Sequence, residues 1–240
     1  MSYWLAPYYT LLALLDVVAA CIACYVVLRV GRLYTRLRAL WLSLLVAGYA
    51  LLAIALIASA VSYGVAMTGE LWHVPGGMHA QHGPAWHRGV SEWQNNIPPH
   101  WGYGVGGRGV SPFWVGVNAL LLTSYTLILA SIITGRVETR NPDDIDIAGA
   151  ALGVFGFGIM LGVGLNVACA VVLVVATFII LAEGHVPSAS IGYMLLTASH
   201  ILEALAVHYV SADLMLIAEG LRPAALLVIG IGVGVRGRHG

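Results

Sequence analysis

Lysine is absent from this chain. All eleven basic residues among its 240 are arginine. That absence excludes a retinal or pyridoxal Schiff base, a P-loop lysine and a catalytic lysine. Charge of either sign is scarce: Asp, Glu, Lys and Arg make up 9% of the residues, where a soluble domain carries about 25%. The formal net charge is zero, so no basic surface for nucleic acid is expected. Cysteine is limited to Cys21, Cys24 and Cys169. All three fall in apolar runs, which gives no disulfide framework. Cys21-x-x-Cys24 has the spacing of a redox pair, but no second pair exists to relay electrons, so these thiols read as buried small hydrophobes. Gly-x-Ser-x-Gly, His-Glu-x-x-His and Walker sequences are all missing, and no self-sufficient catalytic constellation is visible.

What remains is apolar. Hydrophobic residues are 60% of the chain, gathered in runs of the ~20 residues that a ~30 Å hydrocarbon layer requires. Such runs must be helical, because hydrocarbon offers no partner to exposed backbone groups. The expected fold is all-α: residues 1–240 as a single membrane domain, a polytopic transmembrane helix bundle of about six spans. The spans are placed at 5–28, 39–66, 113–134, a fourth ending near 183, then 189–212 and 222–235. The first run lacks a basic flank and a convincing cleavage site, so it reads as a retained helix rather than a signal peptide. From Ala148 to Ala182 the chain is apolar for 35 residues, about 52 Å of straight helix. Either it kinks at Gly162-Val163-Gly164, or two helices lie there and the count is seven.

Arg29, Arg32, Arg36 and Arg38 follow the first run, and Arg136 and Arg140 follow the third. The positive-inside bias makes both clusters cytoplasmic in a plasma membrane. The N-terminus and the segment 68–112 are then extracytoplasmic. Seven spans would put Arg236 and Arg238 inside as well. Gly149-x-x-x-Gly153 and Gly158-x-x-x-Gly162 supply small-residue faces for close helix packing, within the bundle, against partner membrane subunits, or in a homo-oligomer.

The 68–112 loop differs in kind. It is rich in Gly, Pro, Trp and His, and it carries His73, Met78, His79, His82 and His87. Thioether with imidazole suits copper, and imidazole alone suits zinc. The competing reading is an interfacial cap, with its tryptophans at the headgroup level.

Inside the spans, ionisable groups are the informative ones, because each is costly at membrane depth and usually faces a bundle interior. Asp16 lies within the first span. His200 and Glu203 lie near the middle of the fifth, on one face by i,i+3 spacing. His208 lies near the end of that span. These four form the expected polar cluster or proton pathway. His200 is also the one candidate haem ligand. His200 and His208 lie eight residues apart on one helix, about 12 Å along the axis, too far to flank one iron. Any haem or copper would therefore be contributed by, or shared with, a partner.

Three functions follow as expectations. The first is an accessory, non-catalytic membrane subunit of an electron-transfer complex of respiratory type, with a buried proton-conducting cluster. The second is a copper or zinc transporter whose loop captures the ion. The third is a membrane sensor or scaffold.

Overall fold

The computed structural model describes residues 6–68, 112–139, 164–182, 187–209 and 211–236. All are helical apart from short links. The helices are α1 (Ala6–Leu37), α2 (Leu40–Thr68), α3 (Pro112–Thr139), α4 (Leu165–Ala182), α5 (Pro187–Tyr209) and α6 (Ala212–Arg236). Each contains a stretch long and apolar enough to cross a membrane. Their outward faces are apolar too: Phe178 is 68% exposed, Leu28 64% and Leu14 57%. Hydrocarbon outside and a packed interior inside describe a multi-pass membrane protein. The 68–112 loop lies outside the described residues, and with it His73, Met78, His79, His82 and His87.

The boundaries correct the sequence reading in two places. First, α1 runs on through Arg29, Arg32 and Arg36 to Leu37, because arginine is a good helix former and can hold its charge out in water. It stops at Arg38, whose left-handed backbone (φ 51°) lets its amide donate to the Tyr34 carbonyl at 2.8 Å and turn the chain into α2. Residues 140–163, including Gly162 and Val163 of the expected kink, lie outside the described residues; the described part of α4 runs from Leu165 to Ala182, matching the expected end near 183. Its first turn is closed by Val167 N–H donating to the Gly164 carbonyl at 2.8 Å. Second, α6 begins ten residues earlier than expected, at Ala212 rather than residue 222. Pro223 lies inside the helix, where it costs a backbone bond.

Each helix packs against the next in sequence, and α6 packs back against α1. Among the described residues the six therefore form a closed ring, and only side chains reach its middle. Small residues allow the close approaches. Gly48 sits against Ser124 and Ile128 of α3, and the Ser124 hydroxyl donates to the Gly48 carbonyl at 2.9 Å. Gly192 of α5 sits against Ala225 and Ile229 of α6. A methyl group at Gly192 would lie 2.9 Å from the Ala225 carbonyl oxygen and would collide with Ile229. Gly192→Ala is therefore expected to cost about 1–3 kcal/mol by overpacking. Gly64→Ala has nothing within 4 Å of the new methyl and should gain up to about 0.5–1 kcal/mol of helix stability. Thermal unfolding in detergent measures both, and equal shifts would contradict the packing.

The helix directions follow from who meets whom. On α2, Trp41 meets Ser131 and Gly135, and Gly48 meets Ser124, so α2 and α3 are antiparallel. Tyr49 pairs with Tyr193, while Tyr63 shares a cluster with Ala206, so α5 runs with α2. Asn166 faces His200, and Ala182 is joined to Pro187 by a short link, so α4 opposes α5 and runs parallel to α3. Met215 clusters with Tyr9, whereas Gly230 packs on Val26 and Tyr25, so α6 runs parallel to α1. One face of the ring thus holds the start of α1, and the other holds the arginine-bearing ends of α1, α3 and α6. Among the described helices, α1, α3, α4 and α6 run one way and α2 and α5 the other, and six are long and apolar enough to span a membrane.

Candidate functional site

The ring axis is polar. Asp16 of α1, Asn166 of α4, His200 and Glu203 of α5, and Glu219 and Arg222 of α6 are all buried. Asp16, His200 and Glu203 were expected to belong together. Glu219 and Arg222 were not, because the late start assigned to the last span left Glu219 outside it and Arg222 at its mouth. The pair does have a sequence signal, Glu219-x-x-Arg222, opposite charges three apart on one helical face. His208 lies on α5, but its side chain is outside the described residues.

Arg222 organises the centre. Its Nη2 donates to Glu203 Oε2, and its Nη1 donates to Glu219 Oε2 at 2.6 Å. The same Nη1 stands 3.8 Å from Asp16 Oδ1. A planar guanidinium suits this task, since two of its nitrogens can serve two carboxylates at fixed angles. Glu219 also accepts from the Tyr63 hydroxyl at 3.4 Å. Glu203 Oε2 faces His200 Nδ1 at 3.6 Å. Asp16 is the exception. Ser59 and Glu219 approach its carboxyl, yet neither of its oxygens completes a hydrogen bond.

His200 carries the polar line onward. Its Nε2 meets the Tyr125 hydroxyl at 3.1 Å, with the two rings edge to face at 5.3 Å. Its Nδ1 lies 3.4 Å from Asn166 Oδ1. Tyr49 comes next, within electrostatic reach of Tyr125, and its hydroxyl pairs with that of Tyr193 at 3.1 Å. The groups form a column along the axis: Tyr63 and Glu219, then Asp16, Arg222 and Glu203, then His200 and Tyr125, then Tyr49 and Tyr193. Packed side chains flank it at both ends. Tyr9, Leu12, Ala206 and Met215 lie on the N-terminal side, and Val30, Leu42, Ile133 and Ile180 lie on the arginine side.

The acidic part is off-centre. Glu203 is six residues from the end of α5 and Glu219 is seven from the start of α6, about 9–10 Å along each axis. Both therefore lie nearer the N-terminal face of the ring than its arginine-bearing face.

As placed, His200 is fully buried and both ring nitrogens face protein partners. Iron ligation at Nε2 would require Tyr125 to leave. Among the described residues no three His, Cys, Asp or Glu side chains converge as a metal site. Cys169 is buried, but Cys21 and Cys24 are exposed on the outer face of α1, which corrects the expectation that all three cysteines are interior. Helical periodicity explains it: Asp16, Ala19, Ala20 and Ala23 take the inward face, and a small sulfur group is tolerated by lipid.

No protein family, characterised protein or solved structure matches the chain.

Proposed function

We propose that this protein handles protons: it is a non-catalytic membrane subunit that passes them along the axial column beside an electron-transfer partner. The observation that carries the reading is the column itself. Three carboxyls, one guanidinium, one imidazole and a series of tyrosine hydroxyls lie in the middle of a ring that otherwise faces hydrocarbon. Such groups are costly at membrane depth and tend to mark ion or proton routes. Carboxyl, imidazole and hydroxyl groups all accept and donate protons. A divalent metal fits the same place poorly, since the Arg222 guanidinium already occupies the space between the carboxylates and would repel it. The electron-transfer setting rests on the sequence, namely the missing catalytic constellation and the His- and Trp-rich loop suited to docking.

Two experiments test this. Reconstituted in vesicles under an imposed potassium potential, the protein should collapse a pH gradient, and His200→Gln or Tyr125→Phe should slow that collapse severalfold. Mild-detergent extraction from native membranes should bring down partners with haem or copper optical spectra. A protein that purifies alone, colourless and without proton flux would overturn the proposal. Uptake of copper or zinc in its place would favour a metal transporter.

A further inference from the structure

The charges of the cluster do not balance. Asp16, Glu203 and Glu219 bring three negative charges if all are ionised, and Arg222 brings one positive charge. Even a protonated His200 leaves one carboxylate in excess. Asp16, Glu219 and Arg222 are each at most 2% exposed, and an uncompensated charge at such depth is strongly penalised. Whatever the state of His200, at least one carboxyl must carry a proton or hold another cation.

The geometry says which. Glu203 has the most cationic surroundings, with Arg222 Nη2 bonded to it and His200 Nδ1 at 3.6 Å. It is the natural permanent carboxylate. Asp16 and Glu219 compete for one nitrogen, Arg222 Nη1, which lies 2.6 Å from Glu219 and 3.8 Å from Asp16. Both Asp16 oxygens lack a completed hydrogen bond, and so does Arg222 Nε. The remaining neighbours are Ser59 and Tyr63 of α2, which bring no charge of their own. Nothing else among the described groups settles the contest.

We propose that, with His200 protonated beside Glu203, Asp16 and Glu219 share one exchangeable proton, and that Arg222 Nη1 pairs with whichever of the two lacks it. In the arrangement seen, Nη1 is on Glu219 and the proton belongs to Asp16. When the proton leaves an Asp16 oxygen and binds a Glu219 oxygen, Nη1 shifts from Glu219 toward Asp16, a move of at least the 1.2 Å between 3.8 and 2.6 Å. Nothing is oxidised or reduced. Because Asp16 stands on α1 and Glu219 on α6, the exchange alters the contact that closes the helix ring. A proton bound here is nearer the N-terminal face, which makes this pair the loading point of the column. The inference rests on the proton-handling reading and names its site.

Infrared difference spectroscopy of the purified full-length protein, in H2O against D2O near neutral pH, reads a protonated carboxyl directly through its deuterium-sensitive C=O stretch. The wild type should show that band. Asp16→Asn and Glu219→Gln should each reduce it by roughly half or more, because each removes one acid from the unbalanced set. Asp16→Glu should keep it. Both neutral variants relieve excess charge, and a monodisperse elution profile checks that they fold. No band in the wild type, or an undiminished band in either neutral variant, would overturn the assignment. So would a band that sodium chloride abolishes and choline chloride does not, since the occupant would then be a metal cation. A band that behaves as expected in a protein showing no proton flux would retire the conduction reading while leaving the shared proton in place.

Discussion

Arg222→Ala is expected to be among the most damaging single substitutions in the described part of the chain. Among the described residues it removes the only cationic side chain that touches all of Glu203, Glu219 and Asp16, and of the described groups only His200 is left as a counter-charge. Breaking a buried ion pair from one side costs about 3–5 kcal/mol, because the surviving charge stays desolvated. Three acids share this cation, so the upper end of that range is expected, seen as a large fall in the midpoint of thermal unfolding in detergent or as failure to accumulate in the membrane. Arg222→Lys should rescue only in part, since one ammonium cannot present two nitrogens in a plane to Glu203 and Glu219. The loss should be smaller in the pair Arg222→Met with Glu203→Met. That pair removes the permanent carboxylate along with its partner, and Asp16 and Glu219 can both become neutral by protonation. A double variant no better than Arg222→Ala alone would show that the ion pair is not what holds the centre.

The second large effect is all-or-none. With Cys21, Cys24 and Cys169 replaced, Arg32→Cys and Arg236→Cys should share one compartment, and Thr68→Cys should lie in the other. A membrane-impermeant maleimide on intact cells should label Thr68→Cys and spare the other two, since the positive-inside bias turns the arginine-bearing ends inward. The reason is the direction of α6. Met215, near its start, packs with Tyr9 at the N-terminal face, and Gly230, near its end, packs on Val26 and Tyr25 toward the arginine end of α1. Labelling of Arg236→Cys together with Thr68→Cys would reverse α6 and break the ring.

How much of this was legible beforehand depends on the residue. The helical membrane class follows directly from apolar runs of bilayer length. The spans of α2, α3 and α5 were placed within a few residues, because polar or proline-rich stretches bound them. The last span was placed at 222–235, whereas α6 starts at Ala212 and holds Pro223 inside it, where neighbouring helices can compensate for the lost bond. That one boundary hid Glu219 and misplaced Arg222. Asp16, His200 and Glu203 were found because an ionisable residue inside an apolar run needs an explanation. Tyr49, Tyr63, Tyr125 and Tyr193 went unmarked, since tyrosine is common in membrane helices and its hydroxyl gives no signal until its partner is known.

By itself, then, the sequence determined what the solvent is and which residues are expensive in it. Hydropathy is a property of each segment and needs no neighbours. It is enough to say that this chain crosses a bilayer, that its arginines cluster at span ends, and that Asp16, His200 and Glu203 require company. Only the tertiary structure decided who that company is. Asp16 and Arg222 are more than 200 positions apart in the chain, yet they meet because α6 closes the ring against α1. No local pattern encodes that closure. It depends on where Gly192 lets α5 and α6 approach, on Gly230 packing against Tyr25 and Val26 of α1, and on the parallel course of α1 and α6. The balance of charge at the axis is a property of the assembled ring, and from it come both the stability resting on Arg222 and the proton shared by Asp16 and Glu219.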